Sequence, residues 1–208
     1  MARNTGPKCR LCRREGMKLF LKGARCNTAR CGIERREYAP GMHGWSRRKM
    51  TSYGLHLREK QKVKRYYGIL ERQFRVTFAR AEREPGNTGE NLMLHLERRL
   101  DNVVTLLGFA ESRRDARQLV AHGHIFINGK RATIPSQKVD VGDVITPVNR
   151  EKSKNAVAVN LASTSAQQVP SWLEVTADPP SGRVVRAPIR EDVTLPIQEQ
   201  LIVELLSK

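Results

Sequence analysis

The sequence predicts an α+β fold: a mainly helical domain into which a small α/β module is inserted, preceded by an N-terminal metal-clamped arm. Three observations lead to this prediction. Apolar residues keep helical spacing over 70–81, 91–107 and 197–206, and residues 52–67 are rich in helix-forming residues. An Asn-Gly pair flanked by strand-forming residues lies between those stretches. All four cysteines fall within the first 31 residues.

The first 50 residues are predicted to be a loop-rich arm built around a metal. The cysteines have the spacing C-x2-C, then 13 residues, then C-x4-C. Two close pairs separated by a short loop can place four thiolates at the corners of a tetrahedron, the geometry that zinc prefers. The predicted ligands are Cys9, Cys12, Cys26 and Cys31. Four protein ligands leave no open position for catalysis, so the predicted role is structural.

Two alternatives to zinc stay open at this point. An iron–sulfur cluster also takes four thiolates, and the spacing does not separate the two metals. The plainer alternative is four unrelated thiols, which the paired spacing disfavours.

Residues 51–96 are predicted to be a helical domain, which residues 171–208 complete. Its first helix begins near Ser52 as the N-cap and runs until Gly68 interrupts it. This helix has few apolar residues, so a wide face remains for a partner outside its own core.

Two more helices are predicted, one within the helical domain and one that runs from it into the inserted module. One covers 70–81, with residues at i, i+4 and i+8 as its buried stripe: Leu70, Phe74 and Phe78. The other covers 91–107 as one continuous helix that ends at Gly108.

Residues 97–165 are predicted to form the small module. After the end of the preceding helix, a short helix opens at Ser112 with a variant of the capping box. A β-hairpin follows, because Asn128 and Gly129 supply the two residues of positive φ that a type I′ turn requires. A short strand near 144 and a linker over 151–169, which can contain a short helix, come next.

The return segment, 166–208, contains a strand-like stretch over 170–175 and a loop over 179–182. A final helix over 197–206 has an apolar side and no partner nearby in the sequence. We therefore expect this helix to pack back onto the helical domain.

The charge of the chain is strongly positive and unevenly distributed. Lysine and arginine number 38 against 21 acidic residues, a formal net charge of +17. Residues 1–84 hold 23 basic and 7 acidic residues, whereas the rest hold 15 and 14. Such an excess is self-repulsive in a fold alone but favours binding to a polyanion, because each phosphate contact releases a counterion. The charge therefore predicts a nucleic-acid partner.

The candidate nucleic-acid contacts are basic residues of the arm, the helices that follow it and the module. Three arginines on the short helix of the module are included, although a solvated helix face is the alternative for them. Aromatic residues make up only 5%, which argues against a base-stacking platform of the single-strand type. The full set is Arg3, Lys8, Arg13, Arg14, Lys22, Arg35, Arg36, Arg47, Arg48, Lys49, Arg58, Lys60, Lys62, Lys64, Arg65, Arg72, Arg113, Arg114, Arg117, Lys130 and Arg131.

Several other classes of protein are disfavoured. No apolar run reaches membrane-spanning length, and the N-terminus has no apolar signal core. We therefore expect an intracellular protein that does not associate with a membrane. In a reducing compartment, clustered cysteines bind metal more often than they form disulfides. An RNA-modifying enzyme would need an acid/base constellation or a phosphate-binding loop outside the module, and neither is found. A zinc-dependent DNA regulator would need a recognition helix after Cys31, where the sequence is rich in turns.

Residues 98–145 resemble a small RNA-binding module shared by several RNA-handling proteins. The resemblance lies in residues 98–104, 112–120, 122–129 and 139–145. The flanks, in contrast, look like the bacterial-type ribosomal protein four of the small subunit. The segments that carry this second resemblance are 8–16, 53–62, 71–75, 170–175 and 199–204.

The resemblance implies a structural constituent of the small ribosomal subunit and no enzyme. Members of this family bind small-subunit ribosomal RNA as primary binders, nucleate assembly of the body of the subunit and influence translational accuracy. The implied partners are that RNA and neighbouring small-subunit proteins, especially protein five; the chain is expected to be cytoplasmic, ribosome-bound and not a homo-oligomer. Its cysteines place it with the metal-bearing branch of the family. It departs from the family at Leu205 and Leu206, where aromatic residues are frequent.

Overall fold

The chain folds into helices and a five-stranded antiparallel sheet, which confirms the α+β class. The computed structural model describes residues 4–45, 49–164 and 169–207. Two compact units are formed. Unit 1 consists of Met1–Leu92 and Leu195–Lys208, and unit 2 consists of Met93–Thr194.

The arm contains more helix than the sequence indicated. Helix α1 covers Lys8–Glu15, a 3₁₀ turn covers Gly23–Asn27, and the short helix α2 covers Gly32–Arg35. Helix α1 ends at Gly16, whose φ of 69° is a conformation that glycine adopts without steric cost. The prediction of a loop-rich arm is wrong over α1, because its few apolar residues are separated by basic ones and give little periodic signal.

Helix α3 covers Ser52–Tyr66, close to the predicted span, but its N-cap is one residue earlier. The hydroxyl oxygen of Thr51 accepts a hydrogen bond from the backbone amide of Gly54 at 3.2 Å. Gly68, with φ of 64°, ends this helical stretch as predicted.

Helix α4 covers Glu71–Arg83. Phe74 and Phe78 of the predicted stripe are buried. Leu70 is instead the N-cap residue and is 39% exposed, because the helix begins after it.

The single helix predicted over 91–107 is in fact two helices, α5 over Thr88–Glu97 and α6 over Leu100–Leu106. The break lies at Arg99, whose backbone is extended and forms a β-bridge within the segment 135–138. The next two backbone amides donate to carbonyls of that same segment at 2.9 and 3.0 Å. A distant part of the chain therefore determines where α6 begins. Helical spacing within the local sequence could not reveal this contact.

Helix α7 covers Arg113–Ala121, and the predicted hairpin follows it as β1 over Ile125–Ile127 and β2 over Lys130–Ala132. Asn128 and Gly129 have φ values of 49° and 74° at the turn. The hairpin prediction is confirmed, because these two residues fix the turn by local chemistry alone.

Strand β3 covers Val144–Pro147 and pairs antiparallel with β1. Residues 151–169, predicted to be a linker, contain helix α8 over Glu151–Thr164. Val157 on α8 is 2% exposed, and the side-chain amide of Asn160 donates to the carbonyl of Phe109 at 2.9 Å. These tertiary contacts, rather than amphipathic spacing, hold the helix in place.

Strands β4, over Leu173–Thr176, and β5, over Ser181–Val184, complete the sheet in the order β2-β1-β3-β5-β4. The predicted loop over 179–182 is therefore partly strand. A Cβ at Gly182 would lie 2.5 Å from a methyl carbon of Leu107, so glycine lets the strand approach α6. Both strands lie in unit 2, whereas the sequence placed residues after 170 with the helical domain.

After a 3₁₀ turn over Arg190–Asp192, helix α9 over Glu199–Leu206 packs against α3 within unit 1. Ile202 is fully buried at this contact. The backbone amide of Gln198 donates to the Glu59 carboxylate at 3.3 Å, and His56 lies 3.2 Å from Glu204. The C-terminal helix thus returns to the helical unit as expected from its apolar side.

Candidate nucleic-acid interface

The four cysteines line one small pocket in the arm. Cys9 and Cys12 lie on α1, Cys26 lies in the 3₁₀ turn, and Cys31 directly precedes α2. Cys9 is half-buried and the other three are buried. Three short elements therefore bring together the thiols that the spacing had paired.

The chemistry of this pocket fits a metal ion. Burial raises the pKa of the thiols of Cys12 and Cys26, and the neighbouring cysteines raise it further; a bound cation would reverse this by stabilising thiolates. A Cβ at Gly32 would lie 2.7 Å from the Cβ of Cys9, so glycine is needed for this close approach. Across the described ranges, no group of three or more His, Cys, Asp or Glu side chains is already arranged to hold a metal. The metal itself stays a prediction.

Many of the predicted nucleic-acid contacts present their side chains to solvent. Lys8 and Arg13 are half-buried. Arg3, Arg47 and Arg48 lie outside the described residues. The exposed members of the set are Arg14, Lys22, Arg35, Arg36, Lys49, Arg72, Arg114, Lys130 and Arg131.

Two buried or half-buried carboxylates neutralise much of the charge on α3. Glu71 on α4 accepts from the ammonium groups of Lys60 at 2.6 Å and Lys64 at 3.0 Å. Burial alone would raise the pKa of Glu71. The two ammonium groups outweigh this effect and hold the pKa at about 2. Lys60 is only 7% exposed, so its charge is compensated inside unit 1 and does not form the surface contact that the sequence predicted.

The other cations of α3 are also paired. Arg58 and Arg65 both bond to the carboxylate of Glu15 on α1, with the Arg58 contact at 3.3 Å. Lys62 pairs with Glu59 one turn away. The wide polar face of α3 therefore serves partly to attach the arm, and its charge alone overstates what it offers to a polyanion.

The three arginines of α7 are not equivalent, contrary to the prediction of one exposed face. Arg113 donates to the side-chain oxygen of Asn102 at 2.8 Å, and Arg117 lies 3.3 Å from the carboxylate of Asp101. Both acceptors are almost fully buried on α6. Only Arg114 of the three is classed as exposed. Two of the three cations therefore also fix α7 onto α6.

The hairpin places further cations at the surface of unit 2. Lys130 and Arg131 on β2 are exposed. The guanidinium of Arg131 donates to the backbone carbonyl of His122 at 3.0 Å. A Cβ at Gly123 would lie 2.0 Å from this guanidinium, so glycine makes room for the arginine beside the end of α7.

Comparison with known proteins assigns this arrangement to a family. Residues 3–97 match the ribosomal protein S4/S9 N-terminal domain, and residues 98–145 match the S4 domain. The chain is similar to the small ribosomal subunit protein uS4 of Trichlorobacter lovleyi, with 59% identity over 210 aligned residues. It is equally similar to the protein of that name from Thermoanaerobacter sp., with 59% identity over 208 residues. Each comparison covers 100% of both chains.

The chain belongs to the bacterial ribosomal protein S4 family. This confirms the resemblance inferred from the sequence, and the matched S4 domain coincides with the module identified over 98–145. The S4 family is structural and RNA-binding, so the chain is not an enzyme. None of the described helices is long and apolar enough to cross a membrane.

Three further cations of the arm, which the predicted set leaves out, are candidate contacts because they are charged and exposed. Arg10, Arg25 and Arg30 are exposed in the arm. Arg10 could have been found, since it stands in the same basic run as Arg13 and Arg14. The signal at Arg25 and Arg30 was weaker, because each is an isolated cation between the cysteines.

Proposed function

We propose that the chain is a structural component of the small ribosomal subunit that binds small-subunit ribosomal RNA directly. One observation carries this proposal: the similarity to curated proteins named small ribosomal subunit protein uS4 runs over the full length of both chains. The exposed cations of the arm and the hairpin support it, because shape, phosphate and 2′-hydroxyl contacts dominate the recognition of folded RNA. The protein then resides on cytoplasmic ribosomes.

Membership of the family supports finer roles, which are part of the same proposal. The chain is a primary RNA binder that nucleates assembly of the body of the subunit and influences translational accuracy. It contacts neighbouring small-subunit proteins, especially protein five, and works as a single copy. The charge difference between the halves of the chain supports a division of labour, with the basic first half supplying most of the phosphate contacts.

A structural metal ion is the second part of the proposal. Cys9, Cys12, Cys26 and Cys31 hold one zinc ion, with an iron–sulfur cluster as the alternative on the same ligands. Structural zinc contributes on the order of 10–16 kcal/mol of apparent binding free energy at neutral pH, so it folds its own site. Chelation should therefore loosen residues 1–45 and leave unit 2 folded. Metal analysis distinguishes zinc from iron, visible absorption marks a cluster, and finding neither metal in native protein contradicts this part.

The RNA part is tested by binding and by sedimentation. The protein should sediment with small ribosomal subunits and bind their RNA in preference to duplex DNA. Changing four exposed arm cations to Gln should lower the slope of log K against log salt by about three, because each phosphate contact contributes roughly 0.7–0.9. The four residues are Arg14, Lys22, Arg35 and Arg36.

A matched control separates local contacts from net charge. Four exposed cations of unit 2 outside the predicted set are changed to Gln with the same loss of charge: Lys138, Arg150, Lys152 and Arg183. This variant should keep a steeper slope than the arm variant. Equal slopes would show that the arm makes no special contribution, and absence of binding to the ribosomal RNA would reject the proposed function.

A further inference from the structure

Three side chains of the arm form a stack, which consists of the half-buried Arg13 and the exposed Tyr38 and Trp45. The ring centroids of Tyr38 and Trp45 are 4.8 Å apart with the planes tilted by 45°. The guanidinium carbon of Arg13 lies 4.8 Å from the centroid of the Tyr38 ring, and its Nε donates to the Tyr38 carbonyl at 2.9 Å. The tyrosine is thus fixed from the side of α1, and the indole leans on it.

The turn between the two aromatic residues is built to bring the rings together. A Cβ at Gly44 would lie 2.2 Å from the carbonyl oxygen of Ala39 and 3.0 Å from a ring carbon of Tyr38. Only glycine therefore lets the chain fold back over Ala39 and place Trp45 against Tyr38. The close approach is a property of the backbone and not of an adaptable side chain.

The indole is oriented by this stack but is not covered by it. Trp45 is 70% exposed, whereas Trp172, the other tryptophan, is 1% exposed. One exposed apolar residue on a surface is ordinary. An aromatic ring held at a fixed angle against Tyr38, whose ring Arg13 also contacts, is more specific. Arg14 follows Arg13 in the sequence, Arg36 lies two residues before Tyr38, and both are exposed.

The chemistry of this surface matches an unpaired nucleotide. A nucleobase offers a π-face that stacks on an aromatic side chain, and its phosphate is attracted by nearby arginines. A hydrophobic protein partner would be served less well, because the surrounding positive charges would need to be desolvated or paired. We propose that Trp45 stacks on an unpaired base of the RNA that the arm binds. This rests on the proposed function and adds one stacking contact to an interface that is otherwise made by charge.

The stacking contact can be distinguished from charge by its salt dependence. Trp45→Ala should weaken binding to the small-subunit ribosomal RNA of the same organism by about 5- to 150-fold, the range that corresponds to losing one aromatic–base stack. The slope of log K against log salt should not change, because no phosphate contact is lost. Trp45→Phe should restore most of the affinity. Met42→Ala is the matched control: Met42 is 85% exposed in the same turn and has no ring, so its loss should leave affinity unchanged.

Two further measurements test the geometry. Acrylamide should quench Trp45 in the free protein and lose that access when RNA is bound, while the buried Trp172 stays shielded in both states. Gly44→Ala should displace the indole and weaken binding, and adding Trp45→Ala to it should cause little further loss. Circular dichroism of each variant verifies that the fold is retained.

The outcomes separate this inference from the proposed function. If wild type binds the RNA, but Trp45→Ala binds equally well and Trp45 stays open to acrylamide in the complex, the stacking inference is wrong and the RNA-binding function stands. If Trp45 becomes protected only when a neighbouring ribosomal protein is added, the surface binds protein and the inference is overturned. If the wild-type protein does not bind the RNA, the proposed function itself fails.

Discussion

Glu15 is expected to be the main electrostatic attachment of the arm to α3. Its side chain is fully buried, and one carboxylate oxygen accepts hydrogen bonds from the guanidinium groups of Arg58 and Arg65. Burial raises the pKa of Glu15, and the two guanidinium groups offset this only in part. Its other oxygen has no hydrogen-bond partner among the described residues. Burial of this carboxylate therefore costs desolvation free energy, which the two hydrogen bonds from the guanidinium groups offset in part.

Glu15→Ala should destabilise the packing of α1 on α3 by about 3 kcal/mol. Hydrogen bonds to charged groups contribute about 1.5–3 kcal/mol each, and removing one partner of a buried pair costs about 3–5 kcal/mol. The lower part of this range applies for two reasons. Arg58 and Arg65 keep 22% and 20% of their side chains exposed, so water can solvate them after the change. The substitution also removes the unpaired oxygen and its desolvation.

Hydrogen exchange measured by mass spectrometry can follow this loss within one unit. A change of about 3 kcal/mol lowers the protection of amides in α1 and α3 by roughly 100-fold, while amides of α7 and the sheet keep theirs. The matched control is Glu34→Ala. Glu34 pairs with Lys18 in the same arm, but both side chains are substantially exposed, so this pair should add little. Equal loss of protection in the two variants, or no loss in Glu15→Ala, would refute the argument from burial.

Three other predictions concern single residues. Glu71 has a pKa of about 2 in the folded protein, below its ordinary value of 4.5. Its stabilisation of unit 1 is therefore complete above pH 4.5 and is lost as the pH falls towards 2. Glu71→Gln should flatten an acid-unfolding curve between these two pH values. Thr51→Ala should cost about 1 kcal/mol in urea unfolding as a lost N-cap, whereas Ser52→Ala should cost much less. Arg117→Gln should lower the melting temperature as well as RNA affinity, while Arg114→Gln should lower affinity alone, and two variants with equal melting temperatures would contradict this division.

Local chemistry determines the parts of the fold that the sequence predicted well. The hairpin depends on Asn128 and Gly129, and the end of α3 depends on Gly68; each of these is a single-residue conformational preference. The spacing of the cysteines likewise predicted that the two pairs lie close together, and all four line one pocket. Such features need no knowledge of the rest of the chain.

The features that the sequence missed are set by distant contacts. Helical spacing continues through Arg99, but the backbone there pairs with the segment 135–138 and divides one predicted helix into two. The region 151–169 has weak periodicity, and Asn160 fixes its helix by bonding to Phe109. Strand β5 arises in a predicted loop because two neighbouring strands supply its hydrogen bonds. The decisive partner lies far away in sequence for Arg99 and Asn160, whereas β5 pairs with the distant β3 and also with β4, which directly precedes it.

In the candidate site, too, contacts with residues distant in sequence determine which cations of α7 are free to bind RNA. Charge alone assigned Arg113 and Arg117 to the surface, but their partners are the buried Asn102 and Asp101. Asn102 is held in turn by two bonds from its amide to Glu97, at 2.6 and 3.0 Å. These bonds orient α7 before any RNA is present, so the cost of ordering its cations is largely met during folding. Loss of either arginine should therefore disturb the position of the neighbouring Arg114 as well as remove a charge.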